Sequence, residues 1–114
     1  MTVYNRTAAK AEKWAAEHGG DFASTPRAAA EGADFVMACV GNDDDLRAVV
    51  LGDEGAFAGM ARSAVFVDHT TVSAIVSREL AEEGASQGFG WVDAPVSGGQ
   101  AGAENGVLSI LCGG

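Results

Sequence analysis

The sequence lacks any long apolar run, and it is poor in basic residues, proline and cysteine. A membrane-spanning helix needs about 20 consecutive apolar residues, and neither such a run nor the pattern of a secretory signal is present. Seven lysines and arginines stand against 16 acidic residues, which gives a net charge of -9. This balance argues against nucleic acid and against a membrane as main partners, but it allows a local basic site for an anionic ligand.

Cysteine and histidine are equally scarce, with two residues of each type. Cys39 and Cys112 lie in apolar, strand-like runs, so we expect buried thiols in a cytoplasmic protein rather than a disulfide framework. His18 and His69 lie far apart and lack the spacing of metal ligands. We therefore expect no metal site.

What the sequence does contain is a regular alternation of short apolar runs with helix-forming segments. The pattern predicts strands near residues 2–4, 35–40, 65–68, 91–93 and 107–112. It predicts a helix over 8–17 with Thr7 as N-cap, a short helix from Pro26 after Ser24-Thr25, and a helix capped by Asn42 or Asp43. A last helix, capped by Thr70, Thr71 or Ser73 and running to about Gln87, has Ile75, Val76 and Leu80 on one face. Continuous apolar runs are typical of parallel strands that are buried on both faces. We therefore expect one α/β domain with a Rossmann-like, doubly wound parallel sheet.

A polar segment, Asn5-Arg6-Thr7, follows the first predicted strand. In a doubly wound dinucleotide fold the second strand ends beside the adenosine ribose, where NAD enzymes place an acidic residue. This segment has no carboxylate, and the guanidinium of Arg6 could donate two parallel hydrogen bonds to phosphate oxygens. We expect Asn5, Arg6 and Thr7 to bind the 2′-phosphate of NADP. The alternative is a solvated arginine beside a helix cap.

A second polar segment, Asp93 to Gly106, follows the strand near 91–93. Its Pro95 fixes a turn, and Ser97, Gly98 and Gly99 would present a hydroxyl and unhindered backbone N–H groups. Such a turn can hold an anion. The alternative that composition alone leaves open is a flexible surface loop.

The run Asp-Ala-Pro-Val-Ser-Gly-Gly over 93–99 closely resembles the substrate-binding signature of the β-hydroxyacid dehydrogenases. Residues 3–7 resemble the end of that family's second strand, and Val-Asp-His-Thr-Thr over 67–71 resembles its next characteristic turn. The resemblance implies hydride transfer between NADP(H) and a short-chain hydroxy acid or its semialdehyde, of the 3-hydroxyisobutyrate, tartronate semialdehyde, glyoxylate or succinic semialdehyde type. It also implies that Ser97, Gly98 and Gly99 bind the carboxylate of this small substrate.

The same resemblance implies further contacts to the cofactor, NADP or alternatively NAD. Val40 and Gly41 would lie under the cofactor at the end of their strand, and Thr71 would lie on its nicotinamide side. Gly41 departs from the proline that is common in the family, so its backbone lacks the restraint of a proline ring. Asp45 falls near a weaker contact position, but we interpret it as a carboxylate at the start of a helix.

Residues 1–114 correspond to an incomplete dinucleotide-binding domain of such an enzyme. The GxGxxG turn with its strand, the lysine helix and the helical second domain of the family have no counterpart in the sequence. We therefore expect no catalytic residue and no activity in this chain alone, and a homo-oligomeric parent enzyme. In the doubly wound order the absent strand lies between the second and fourth strands, so we also expect exposed strand edges and aggregation.

Two other functions fit the sequence less well. A 6-phosphogluconate dehydrogenase would share the Ser-Gly-Gly turn, but it usually has other residues at positions 93–95. Imine reductases share the fold and generally lack the turn. A non-catalytic NADP-binding module is the alternative from a different class, and the residue at the lysine position would distinguish it from an enzyme.

Overall fold

A computed structural model describes residues 1–113 as alternating strands and helices. The strands are β1 (Thr2–Val3), β2 (Asp21–Phe22), β3 (Phe35–Ala38), β4 (Val65–Asp68), β5 (Gly90–Asp93), β6 (Val96–Ser97) and β7 (Ser109–Ile110). The helices are α1 (Ala8–His18), α2 (Pro26–Ala30), α3 (Asp43–Val50), α4 (Ala56–Gly59), α5 (Ala74–Ser86) and α6 (Gly99–Glu104). None of the helices in this part of the chain has the length and apolarity needed to cross a membrane.

The strands form parallel pairs, which confirms the predicted α/β class. β1 pairs with β2, and β3, β4 and β5 form a second parallel sheet in that order. β6 and β7 form a short antiparallel pair that follows β5. The predicted strand over 107–112 is therefore only the two-residue β7, because the chain turns back onto β6 instead of extending a parallel sheet.

A gap separates β1 from β3 within residues 1–113. This inter-sheet gap is a cleft of about 660 Å³, lined on one side by residues 1–4 and on the other by residues 33–40. In the doubly wound order this gap is the place of the family's first strand, for which the sequence was expected to have no counterpart.

The helices begin at the side chains that the sequence predicts. Thr25 and Ser73 accept hydrogen bonds from the third residue of α2 and α5, and Asn42 accepts one from Asp45 N–H at the start of α3. Helix α1 ends at Gly19, whose φ of 72° lies in the left-handed region that glycine adopts without steric cost. These ends fix where each connecting turn leaves the sheet.

An aromatic cluster forms the core on one face of the three-stranded sheet. Phe66 of β4 stacks on Trp91 of β5 with ring centroids 4.8 Å apart, and Phe57 of α4 meets both rings edge-on. Val76 and Leu80 of α5 are fully buried against this cluster. On the opposite face the β3 part of the sheet is uncovered: Phe35 and Met37 are exposed there, while Val65 and Val67 of β4 are half-buried.

Three burial predictions were wrong, and the uncovered face explains the first. Phe35 and Met37 of β3 were expected to be buried, but they are 62% and 64% exposed because they point away from the core. Ile75 was expected on the apolar face of α5, but it is 73% exposed at the first turn. Cys39 and Cys112 are exposed free thiols rather than buried ones, because one follows the edge strand β3 and the other follows β7.

The exposed apolar side chains of β3 should drive self-association. Replacing Phe35 and Met37 together with threonine keeps β propensity and removes the apolar surface of an edge strand. We expect less self-association in sedimentation velocity at rising concentration, with little change in the free energy of unfolding. Ile75→Gln removes a similarly exposed side chain from α5 and is the control. An equal effect of both changes would contradict a specific role for the β3 edge.

Candidate functional site

The three strands β3, β4 and β5 end at one edge. Their parallel register aligns Ala38, Asp68 and Asp93 across the sheet. The turns that follow these residues therefore meet at the carboxyl ends of the strands, where ligands bind in open α/β sheets. The residues singled out in the sequence at 40–41, 70–71 and 94–99 all follow these strand ends.

A polar cleft of about 660 Å³ lies between the end of β1 and the end of β3. We call it the strand-end cleft. It is lined by five of the six residues predicted to bind the cofactor: Asn5, Arg6, Thr7, Val40 and Gly41. A volume of this size is typical of small-molecule sites, which are about 300–1,000 Å³.

The turn between β1 and α1 presents Arg6 to solvent. Asn5 Oδ1 accepts a hydrogen bond of 2.8 Å from Thr7 N–H, which closes the turn. Thr7 occupies the N-cap position, but its side chain makes no cap hydrogen bond, contrary to the sequence prediction. The Arg6 side chain is 85% exposed at the mouth of the cleft. Its guanidinium can thus reach a ligand without first losing a buried partner.

Lys10 is a second cation of the strand-end cleft. It lies in the first turn of α1, and Arg6 precedes the N-cap residue Thr7 of the same helix. Lys10 was not predicted as a site residue from the sequence. Its place in the first helical turn after the Asn5-Arg6-Thr7 segment is the signal that could have found it.

Asp45 joins the cleft from the other side. Its Oδ1 lies 3.7 Å from an Arg6 guanidinium nitrogen, and the residue lines the cleft together with Arg6. A Cβ on Gly41 would lie 2.8 Å from Asp45 Oδ2, so glycine leaves room for this carboxylate. Asp45 is in the first turn of α3, as expected for a carboxylate at a helix start, and it also faces the ligand space.

A contact between two helix starts holds α3 in place. Ser73 donates its N–H and its hydroxyl to the Asp43 carboxylate, at 2.9 and 2.7 Å. These hydrogen bonds lower the pKa of Asp43, and the one from the hydroxyl has the larger effect. The ionised carboxylate therefore ties the start of α3 to that of α5, and with it the side of the cleft that carries Asp45.

The remaining predicted residues lie outside the strand-end cleft. Thr71 is exposed after β4, and Ser97, Gly98 and Gly99 are exposed where β6 ends and α6 begins. The segment Asp93 to Gly106 is not a flexible loop, since it contains β6 and α6. The structure thus separates the residues expected at the adenosine end from those expected at the substrate end.

The reason proposed for Gly98 was wrong. A Cβ on Gly98 would not enter open ligand space, because it would lie 3.1 Å from Leu108 Cδ2 and 3.6 Å from Gly102 Cα. Glycine is needed there for packing and for a φ of 128°. A Cβ on Gly99 would meet nothing within 4 Å, so Gly99 is the glycine that faces open space.

Comparisons with known proteins show the family. Residues 1–114 match the family described as the NAD binding domain of 6-phosphogluconate dehydrogenase. The chain belongs to this family of NAD-binding domains. Along its whole length the domain is 57% identical to an uncharacterized oxidoreductase of Shewanella frigidimarina, of which it covers 39%. It therefore spans well under half the length of this relative.

Solved structures agree with this assignment. The domain is similar to 3-hydroxyisobutyrate dehydrogenase of Mycobacterium tuberculosis, described with L-serine, with a TM-score of 0.86 at 28% identity over 97% of the chain and 37% of that structure. It is also similar to Psf3 in complex with NADP+ and 2-OPP, with a TM-score of 0.87 at 27% identity over 98% of the chain and 40% of that structure. The predicted Rossmann-like fold is thus confirmed.

One buried acidic residue, Asp68, lies at the end of β4. Asp68 is fully buried, and this burial is the main reason why its pKa is raised above the usual 3.8. Repulsion from Asp93 also raises the pKa. Hydrogen bonds from Thr70, and the nearby His69, lower it, but by less. Because the pKa is higher in the folded state than in the unfolded state, the folded state binds the proton more tightly. Asp68 therefore stabilises the fold most at low pH and loses that contribution as pH rises through its folded-state pKa.

This titration predicts the pH dependence of stability. The free energy of unfolding of the wild type minus that of Asp68→Asn should fall as pH rises from about 3.8 and then level off above the raised pKa. Urea unfolding at a series of pH values measures both proteins, and titrations of other groups cancel in the difference. A difference that is flat, or that grows with pH, would show that the Asp68 pKa is not raised.

Proposed function

We propose that the protein that contains this domain is an NADP-dependent oxidoreductase of the β-hydroxyacid dehydrogenase type. It would transfer hydride between NADP(H) and a short-chain hydroxy acid or semialdehyde. The observation that carries the proposal is the strand-end cleft, where Arg6 and Lys10 follow the end of β1. The similarity to 3-hydroxyisobutyrate dehydrogenase of M. tuberculosis supports the reaction class.

The residues of the cleft fit the adenosine end of the cofactor. In a chain of net charge -9, two cations in one cleft offer a local site for a 2′-phosphate, and the guanidinium can form two parallel hydrogen bonds to it. Asn5 and Thr7 add polar groups beside them. Psf3, a structural relative, is described with NADP+, which supports this choice of cofactor.

NAD is the second candidate, and Asp45 favours it. A carboxylate beside the ribose accepts hydrogen bonds from the hydroxyls of NAD and repels a 2′-phosphate. Asp45 lies 3.7 Å from Arg6, so the two side chains make opposite contributions at one place. Glu54 is a second acidic residue of the cleft. We propose that NADP is preferred because Arg6 and Lys10 both follow β1, whereas the two carboxylates belong to α3 and to the loop after it.

The substrate site would involve Ser97 and Gly99 beyond the end of β5. Both are exposed, and open space surrounds the position of a Gly99 side chain. A hydroxyl and backbone N–H groups are suitable donors for the carboxylate of a small acid. L-serine, described with the M. tuberculosis enzyme, is itself a β-hydroxy acid with such a carboxylate.

The bound nicotinamide would supply or accept the hydride, and residues of this domain would orient the reactants. Thr71 follows β4 between the strand-end cleft and the turn after β5, a position suited to the nicotinamide end. No role in proton transfer is proposed for Lys10 or Lys13, because both lie on α1. We also propose a cytoplasmic location, which the two free, exposed thiols support.

Replacing Arg6 should remove the preference for a 2′-phosphate. We expect the 114-residue chain to bind 2′,5′-ADP more tightly than 5′-AMP in isothermal titration calorimetry. Arg6→Ala should reduce that preference roughly 10- to 100-fold, since hydrogen bonds to charged groups contribute about 1.5–3 kcal/mol. Lys13→Ala, which removes an exposed cation of α1 outside the cleft, should leave it unchanged. Equal losses in both variants would indicate only a general charge effect.

Ser97 and Gly99 should affect the acid substrate and not the cofactor. In the complete enzyme, Ser97→Ala should lower kcat/KM for glyoxylate or succinic semialdehyde by about 10-fold, with the KM for NADPH unchanged. Gly99→Asn, which tolerates a positive φ, should lower it further by filling the open space. Ser86→Ala removes an exposed hydroxyl from the end of α5 and is the control. If instead the KM for NADPH rises in the Ser97 and Gly99 variants, this turn belongs to the cofactor site.

A further inference from the structure

The turn that follows β3 is held by a side chain of the neighbouring strand. The last bond of the β3–β4 ladder joins His69 N–H to Ala38 O at 2.8 Å. The next donor of this turn, Val40 N–H, bonds to the Thr70 hydroxyl oxygen at 2.9 Å. Thus the Thr70 side chain extends the contact between the ends of β3 and β4 beyond the last backbone hydrogen bond.

Asp68 holds the backbone of this threonine in place. Its Oδ1 accepts a hydrogen bond of 2.9 Å from Thr70 N–H. Its backbone oxygen accepts one of 2.7 Å from Ala94 N–H, on the β5 side. Both Asp68 and Thr70 are almost completely buried, with 0% and 2% exposure. The pair therefore forms a fixed point among the ends of three strands.

We propose that Thr70, oriented by Asp68, is a positioning residue that sets the Val40–Gly41 turn for binding of the nucleotide. This inference rests on the proposed function, because Val40 and Gly41 line the strand-end cleft. Gly41 has no ring to restrict its backbone, so the chain itself gives this turn little rigidity. The bond from the adjacent strand supplies the constraint at Val40.

The hydroxyl matters here, and the shape of the side chain does not. Valine has nearly the shape of threonine, but it would leave Val40 N–H without its acceptor in a half-buried position. Serine would keep the acceptor and lose a buried methyl group. The two variants thus separate the hydrogen bond from packing.

The test measures amide exchange and nucleotide binding in the 114-residue chain. Thr70→Val should speed exchange of the Val40 amide about 10-fold relative to the amides of β4, and should weaken binding of 2′,5′-ADP roughly 3- to 10-fold. Thr70→Ser should match the wild type in both measurements, even where its midpoint of thermal unfolding falls. Val76→Ala, a core change distant from the cleft, should lower that midpoint without changing either measurement.

Three results would overturn the proposal. Thr70→Val could leave both Val40 exchange and binding unchanged, or Thr70→Ser could behave like Thr70→Val, which would assign the effect to packing. Binding could also fall in Val76→Ala as far as in Thr70→Val, which would make it a consequence of stability. A wild type that fails to bind 2′,5′-ADP would contradict the proposed function, whereas Val40 exchange would still decide whether Thr70 holds the turn.

Discussion

The register of the three-stranded parallel sheet is the constraint on which the candidate site depends. Because Ala38, Asp68 and Asp93 are aligned, the turns after β3, β4 and β5 leave the sheet side by side. Asp68, the middle residue, holds Thr70 of its own turn through its carboxylate and Ala94 of the turn after β5 through its carbonyl. Thr70 in turn bonds to Val40 of the turn after β3. A shift of one residue in this register would turn Asp68 and the aromatic core to the opposite face.

Much of this architecture could be predicted from the sequence, because apolar runs and capping residues are local signals. The strand at 65–68 was found in this way, and the caps Thr25, Asn42 and Ser73 are among the candidates that the sequence offered for their helices. Burial could not be predicted as well. A continuous apolar run such as that of β3 does not tell whether another element covers each face, so Phe35 and Met37 were wrongly placed in the interior.

The candidate site shows the same division between local and long-range information. Asn5, Arg6 and Thr7 were selected because they follow a strand, and Val40 and Gly41 because they resemble a family motif. Contacts between separate elements gave no sequence signal, among them that of Asp45 with Arg6 and that of Thr70 with Val40. The environment of Gly98 was misjudged for this reason, since Leu108 packs against it from ten residues away.

The central claim is that the ends of β1 and β3 together bind the phosphorylated ribose of NADP. The most direct measurement is the change of backbone amide chemical shifts when NADP+ is added to the isotopically labelled chain. The account predicts the largest changes at residues 5–7 and 40–41, with smaller ones in the first turn of α1, which carries Lys10. Changes confined to other surfaces, or equal changes throughout the chain, would contradict it.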